Sequence, residues 1–175
     1  MNQALMLVTG GSRGIGAATV LLAVARGWRV AFSYRDNAKA AEEVVTQASK
    51  QGAEVMAVQA DVANESDVIR LFDTVEQRMG RLNALINNAG MLEQQMRLDQ
   101  MDLARWQRVF SANVFGSFLC AKQAVRRMST QQGGQGGVIV NVSSAAARLG
   151  SPNEFIDYAA AKGAVDSMTI GLAKE

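Results

Sequence analysis

Short apolar runs alternate with longer stretches in which apolar residues recur every three or four positions, and the alternation continues to the end of the chain. Leu5–Val8, Arg29–Tyr34 and Glu54–Gln59 read as the first three strands. Between them, Ile15–Arg26 reads as a helix closed by Gly27, where a helix C′ glycine belongs. Ala38–Lys50 reads as a second helix, with Ala41, Val44, Val45 and Ala48 on one face and Gly52 after it. Asn64 offers an N-cap with Asp67 three residues on, and Val68, Phe72, Val75 and Met79 form the stripe of a third helix that Gly80 ends. A short buried strand starts at Ala84–Ile86. A long helix from about Asp102 to Met128 follows, with Leu103, Trp106, Phe110, Val114 and Val125 roughly on one face. Beyond the flexible stretch Gly133-Gly134-Gln135-Gly136-Gly137, Val138–Val142 reads as the fifth strand, and a last helix begins near Phe155. Strands alternating with helices predict βαβ units and a parallel sheet. No repeat and no linker divides the chain, so residues 1–175 are expected to form a single domain.

Composition narrows the chemistry. With 49% apolar and 19% charged residues, the chain reads as globular rather than disordered. A formal net charge of +2, without a basic stripe, argues against nucleic acid or a membrane surface as partner. The absence of histidine removes His-based triads and most zinc and iron sites, so no metal is expected. The single cysteine, Cys120, forms no intrachain disulfide and, between Leu119 and Ala121, reads as a small buried hydrophobe. The stretch Met1–Met6 lacks the charged start and cleavage site of a signal peptide, and no apolar run is long enough for a transmembrane helix. A cytoplasmic protein is the default expectation.

The densest chemical signal is Thr9-Gly10-Gly11-Ser12-Arg13-Gly14-Ile15-Gly16, between the first strand and the first helix. Glycines there let the backbone turn tightly and approach a pyrophosphate, while the helix N-terminus supplies free N–H groups and a positive dipole end. The spacing departs from G-x-G-x-x-G, and no P-loop lysine is present, which argues against an NTPase. A merely structural turn is the competing reading. Tyr158 and Lys162 lie four apart on the last helix and share a face. A free phenol, with a pKa of about 10, is a poor acid/base near neutrality, and a nearby ammonium favours its ionised form.

Three motifs carry a family resemblance over the whole chain. Thr9–Gly16 resembles the T-G-x-x-x-G-[IL]-G of the short-chain dehydrogenase/reductase family, Asn87-Asn88-Ala89-Gly90 resembles its N-N-A-G, and Tyr158-Ala159-Ala160-Ala161-Lys162 resembles its Y-x-x-x-K. The resemblance implies a Rossmann-type α/β fold, a doubly wound parallel sheet with helices on both faces. It also implies hydride transfer between a nicotinamide cofactor and a small carbonyl/alcohol substrate. The cofactor-binding residues it implies are Gly10, Ser12, Arg13, Gly14, Ile15, Gly16, Arg35, Asp61, Val62, Asn88, Ala89 and Gly90, together with Tyr158 and Lys162. Asp61 and Val62 would meet the adenine, with a plain helix-entry aspartate as the alternative, and Asn88 would brace the sheet and the cofactor loop.

An acidic residue at the end of the second strand selects NAD, and a basic one accommodates the 2′-phosphate of NADP. Tyr34 holds that position by alignment, Arg35 follows it, and Arg13 precedes Gly14. The expectation is therefore NADP(H) over NAD(H), with the two guanidiniums as a charge-assisted clamp that the neighbouring Asp36 could weaken. Solvated surface arginines are the alternative.

The implied catalytic set is Asn113, Ser144, Tyr158 and Lys162. Tyr158 would serve as general acid/base, Lys162 would hold the nicotinamide ribose, and Asn113 would hold a water that links the lysine to solvent. Ser144 or Ser143 would orient the reacting oxygen. The family commonly has its serine where this chain has Ala145, so a one-residue insertion within Ala146–Asp157, near Glu154, is inferred. For Asn113 the competing reading is a tolerated polar residue on an exposed turn.

Members of the family normally continue past the helix in which residues 171–175 lie, so a C-terminally truncated, incomplete domain is expected. Exposed sheet edge and helix surface would follow, as would homo-oligomerisation, as dimer or tetramer, through the long helix and the last helix. A dinucleotide-binding, redox-sensing module without turnover, or a catalytically inactive fragment, are the competing functional readings.

Overall fold

The computed structural model describes residues 3–175. Met1 and Asn2, part of the Met1–Met6 stretch that lacks a leader signature, lie outside the described residues. Five strands form one sheet: β1 (Leu5–Val8), β2 (Arg29–Tyr34), β3 (Val55–Gln59), β4 (Ala84–Asn87) and β5 (Val138–Asn141). Their order is β3-β2-β1-β4-β5, and every adjacent pair is parallel. The connections are α1 (Gly14–Ala25), α2 (Ala38–Ser49), α3 (Glu65–Met79), and the run α4 (Leu103–Phe110) to α5 (Gly116–Met128). A short α6 (Ala146–Leu149) and then α7 (Ile156–Leu172) follow β5.

The period-2 alternation of the strands divides the core between the two faces of the sheet. Val8, Val30 and Phe32 point to one face, where Val20, Ala23 and Val24 of α1 and Ala41, Val44 and Ala48 of α2 cover them. Leu5, Leu7, Ala31 and Leu85 point to the other face, against Val68, Leu71, Phe72, Val75 and Met79 of α3 and Cys120, Ala124 and Met128 of α5. Each large side chain so buried contributes roughly 1.5–3 kcal/mol. A sheet covered on both faces explains why its strands read as near-continuous apolar runs. On the edge strand β5, Val138 and Val140 remain exposed.

Two local expectations needed correction. The stripe predicted for the long helix is misplaced: Leu103 is 63% and Trp106 36% exposed, while Arg105, Val109, Ala112 and Asn113 are buried. Within α4 the inward face is carried by Arg105 and Val109, so apolar character does not mark the buried side, and a π-helical turn at Ser111–Phe115 then joins α4 to α5. Asn64 does cap α3, accepting from the backbone N–H groups of Ser66 and Asp67. Asp67, however, does not bond back to it; its carboxylate accepts the Asp61 N–H at 2.9 Å, which fixes the turn after β3.

The chain runs outward from β1 to β3, then returns to β4 on the other side of β1. The carboxyl ends of β1 and β4 therefore open into a crevice at the point where the strand order reverses, the general ligand position of open α/β sheets.

Candidate active site

The turn after β1 is built for close backbone approach. Gly10 and Gly14 have φ of +66° and +55°, in the left-handed region that favours glycine. A Cβ on Gly16 would lie 2.2 Å from the Gly10 carbonyl oxygen, whereas one on Gly14 would meet nothing within 4 Å. The Gly16 constraint belongs to the fold, and the Gly14 space belongs to the crevice. The first N–H groups of α1 have no intrahelical acceptor, and Arg13 at the N-cap makes no side-chain capping bond.

Across the seam of the sheet, Asn88 Nδ2 donates to Thr9 O at 2.9 Å and to Gly10 O at 3.1 Å. Thr9 Oγ1 accepts the N–H groups of Asn88 and Ala89. From β2, the Ser33 hydroxyl accepts the Gly10 N–H and the Ser33 carbonyl accepts the Gly11 N–H. Ser33 was missed in the sequence, because a serine inside a strand carries no signal of what it faces.

Gly10, Ser12, Arg13, Gly14, Ile15, Gly16, Arg35, Asp61, Val62, Asn88, Ala89 and Gly90 all line one cleft of about 390 Å³, beside Ser33, Tyr34 and Asp36. Arg35, Asp36 and Asp61 also face an adjoining open polar cleft whose far wall is Gln59, Asp67 and Arg70. Arg35 is exposed, and its Nε donates to Asp36 Oδ2 at 2.6 Å. That hydrogen bond, more than any other influence, raises the guanidinium pKa further. Asp36 therefore engages the cation that was expected to meet a 2′-phosphate. Asp61 is placed as both of its readings require: it lines the cleft, and its carboxylate accepts the Ala63 N–H in the turn that leads to α3.

Asn113, Tyr158 and Lys162 converge at the inner end of the site. Asn113 is fully buried in the π turn, not on an exposed one. Its amide donates to Val109 O and Met91 O, each at 2.9 Å, and its Oδ1 accepts the Met91 N–H. Tyr158 packs against the cluster of Val109, Val114 and Ala161, where α7 meets that turn. Lys162 Nζ donates to Val142 O at the end of β5 at 2.7 Å and lies 5.7 Å from the Tyr158 ring centroid. Burial pushes its pKa below the usual lysine range, with Asp166 acting in the opposite sense. Lys162 Nζ is 3.6 Å, and Asn113 Oδ1 2.6 Å, from where a Cβ on Gly90 would sit. Gly90 thus joins the cofactor cleft to the lysine and asparagine. The two serines differ: Ser143 Oγ turns toward Lys162 O at 3.4 Å, and Ser144 Oγ accepts the Ala146 N–H at the start of α6.

Sequence reading also missed a buried ion pair. Arg105 and Asp157, 4% and 1% exposed at their side chains, meet at 2.7 Å one residue before Tyr158. Neither the eight-residue α4 nor the α7 entry distinguishes a buried charge from a solvated one by spacing.

Comparisons with known proteins bear on the family and the fold. The family described as short chain dehydrogenase matches residues 4–175. An uncharacterized oxidoreductase of Escherichia coli K12, YgfF, is 49% identical over 173 residues, covering 99% of this chain and 70% of that protein. A short chain dehydrogenase from Burkholderia cenocepacia J2315, solved in complex with NADP, superimposes with a TM-score of 0.91 at 35% identity, over 99% of this chain and 69% of that one. An NAD+-bound xylitol dehydrogenase superimposes with a TM-score of 0.90 at 32% identity, over 99% and 66%. The chain spans about two thirds of the length of such relatives. With its Rossmann-type sheet, its glycine turn and these likenesses, the chain belongs to the short-chain dehydrogenase/reductase family, oxidoreductases that bind a nicotinamide dinucleotide.

Proposed function

We propose that the chain is an NADP(H)-dependent oxidoreductase that interconverts a small carbonyl compound and its alcohol, with Tyr158 as general acid/base. The observation that supports this best is the single cleft lined by all twelve non-catalytic residues assigned to the cofactor, with Gly90 linking it to Asn113 and Lys162. The residues fit a dinucleotide: Gly14 leaves room for a pyrophosphate beside the open N-terminus of α1, and Arg13 and Arg35, both lining the cleft, are the cations that support a preference for the 2′-phosphate.

When bound, NADPH would be held by the glycine turn after β1 and the other residues of that cleft and would supply the hydride for the carbonyl carbon. The Tyr158 hydroxyl donates its proton to the carbonyl oxygen, which becomes the alcohol. In the reverse direction Tyr158 takes that proton back as general base. Such acid/base help contributes about 10²–10⁴-fold in rate. Lys162, anchored on Val142 O, holds a cation beside the Tyr158 ring and is placed to bind the nicotinamide ribose. Ser144 orients the reacting oxygen, with Ser143 as the alternative, and Asn113 fixes the Met91 backbone against the end of α4. The exposed Leu103, Phe115 and Phe118 of the α4–α5 run and Ile170 of α7 suit association with a second copy.

NADPH fluorescence titration, then NADPH consumption with a panel of ketones and aldehydes, tests the proposal. Binding with consumption by at least one carbonyl is expected. Binding without consumption by any would favour a dinucleotide-binding module or an inactive fragment.

A further inference from the structure

Arg105 sits at the crossing of three segments. Its Nε and Nη2 donate to the two Asp157 carboxylate oxygens at 2.7 and 3.4 Å, and its Nη1 donates to Gln94 O at 2.6 Å. Asp157 Oδ1 also accepts the Tyr158 N–H at 2.9 Å. The guanidinium thus ties α4 both to the loop after β4 and to the first turn of α7, which bears the proposed proton donor. Next to this junction, Met96 N donates to Glu154 O at 3.0 Å and Gln95 Nε2 to Glu154 Oε1 at 3.3 Å.

Stability alone is a poor reason for such a pair. Desolvating two charges offsets most of their attraction, and well-packed apolar replacements are often neutral or better. A bidentate Arg–carboxylate fork does supply what apolar packing lacks, a fixed distance and a fixed angle.

We infer that Arg105 and Asp157 are positioning residues, which hold the Tyr158 hydroxyl and the 94–96 backbone in one frame so that a carbonyl substrate meets both. The inference rests on the reading of Tyr158 as proton donor. Asp157 fixes the entry of α7 through the Tyr158 N–H, and Arg105 transmits that position to the loop. A misplacement of about 1 Å at such a site can cost about 100-fold in rate.

The test variant is Arg105→Leu with Asp157→Asn. It buries no lone charge and keeps an acceptor for the Tyr158 N–H, so the fold is spared while the tether is cut. In the NADPH-loaded chain, kcat should fall about 100-fold with the NADPH dissociation constant unchanged. Amide exchange should quicken at Met96 and Tyr158 but not at Leu7 or Leu85. Arg105→Lys, which keeps the charge but not the fork, should recover part of kcat. An unchanged kcat, or unchanged exchange at both amides, overturns the inference. So does a loss of NADPH affinity matching the loss of kcat with exchange rising across the sheet, since the pair would then serve the fold alone. If the unmodified chain binds NADPH yet reduces no carbonyl, the oxidoreductase reading fails and the exchange measurement decides the coupling by itself.

Discussion

Asn88 and Gly10 are joined across the seam between β4 and β1, the asparagine amide donating to the glycine carbonyl at 3.1 Å while a second bond from the same nitrogen reaches Thr9 O at 2.9 Å. One side chain therefore sets the shape of the glycine turn from the neighbouring strand. Asn88→Ala should cost about 1–3 kcal/mol in urea unfolding, because it leaves part-buried carbonyls unsatisfied. NADPH affinity should weaken with it. Unchanged stability and affinity would mean the turn holds its shape without the brace.

Gly14 and Gly16 differ in a way that two alanines separate. Alanine is the better helix former by about 1 kcal/mol. Gly16→Ala should nevertheless destabilise the chain, since its Cβ would fall 2.2 Å from the Gly10 carbonyl oxygen. Gly14→Ala has open space and carries only the left-handed φ, a penalty of about 1–2 kcal/mol. Its methyl would stand in the cleft, so it should remove NADPH binding while the fold survives. Thermal unfolding with fluorescence titration checks both, and a Gly14→Ala chain that binds NADPH normally would contradict the placement of the pyrophosphate.

Arg35 and Asp36 compete with any incoming phosphate. Arg35→Asp should shift the ratio of dissociation constants toward NADH. Asp36→Asn should tighten NADPH slightly, since an exposed pair is worth under about 1 kcal/mol. Titration of both variants with both nucleotides reads the ratio directly, and no shift for Arg35→Asp would refute the NADP preference.

Burial pushes the Cys120 thiol from 9.0 up to about 12. The folded state thus holds this proton more tightly than the unfolded one. The resulting stabilisation is fully present below pH 9.0 and is lost as pH rises toward about 12. The stability difference between the unmodified chain and Cys120→Ala, measured by urea unfolding, should shrink across that window. Near neutrality a thiol reagent should react only after unfolding. Rapid labelling of the folded chain would contradict the burial of Cys120 between α5 and the sheet.

The sheet was legible because each strand is a short apolar run flanked by glycine or a cap, and both faces of the sheet are covered. Gly27, Gly52 and Gly80 mark helix ends by chemistry that needs no partner, and their positive φ values follow. That the residues expected at the cofactor line one cleft was legible because they follow consecutive strand ends, which topology alone brings together. What stayed hidden depends on distance in space. The π turn that buries Asn113 has no sequence period of its own, Ser33 is read only from the turn it faces, and the Arg105–Asp157 pair spans 52 residues. The serine choice also eluded spacing, because Ser143 and Ser144 are adjacent and differ only in what they meet in space, Lys162 O for one and the Ala146 N–H for the other.

The proton-donor role of Tyr158 is tested most directly by Tyr158→Phe, assayed for NADPH consumption with a carbonyl that the unmodified chain reduces and for NADPH binding by fluorescence. Phenylalanine keeps the ring that packs on Val109 and Val114 and removes only the hydroxyl. Turnover should vanish while binding stays nearly intact. Turnover retained in Tyr158→Phe would contradict the mechanism.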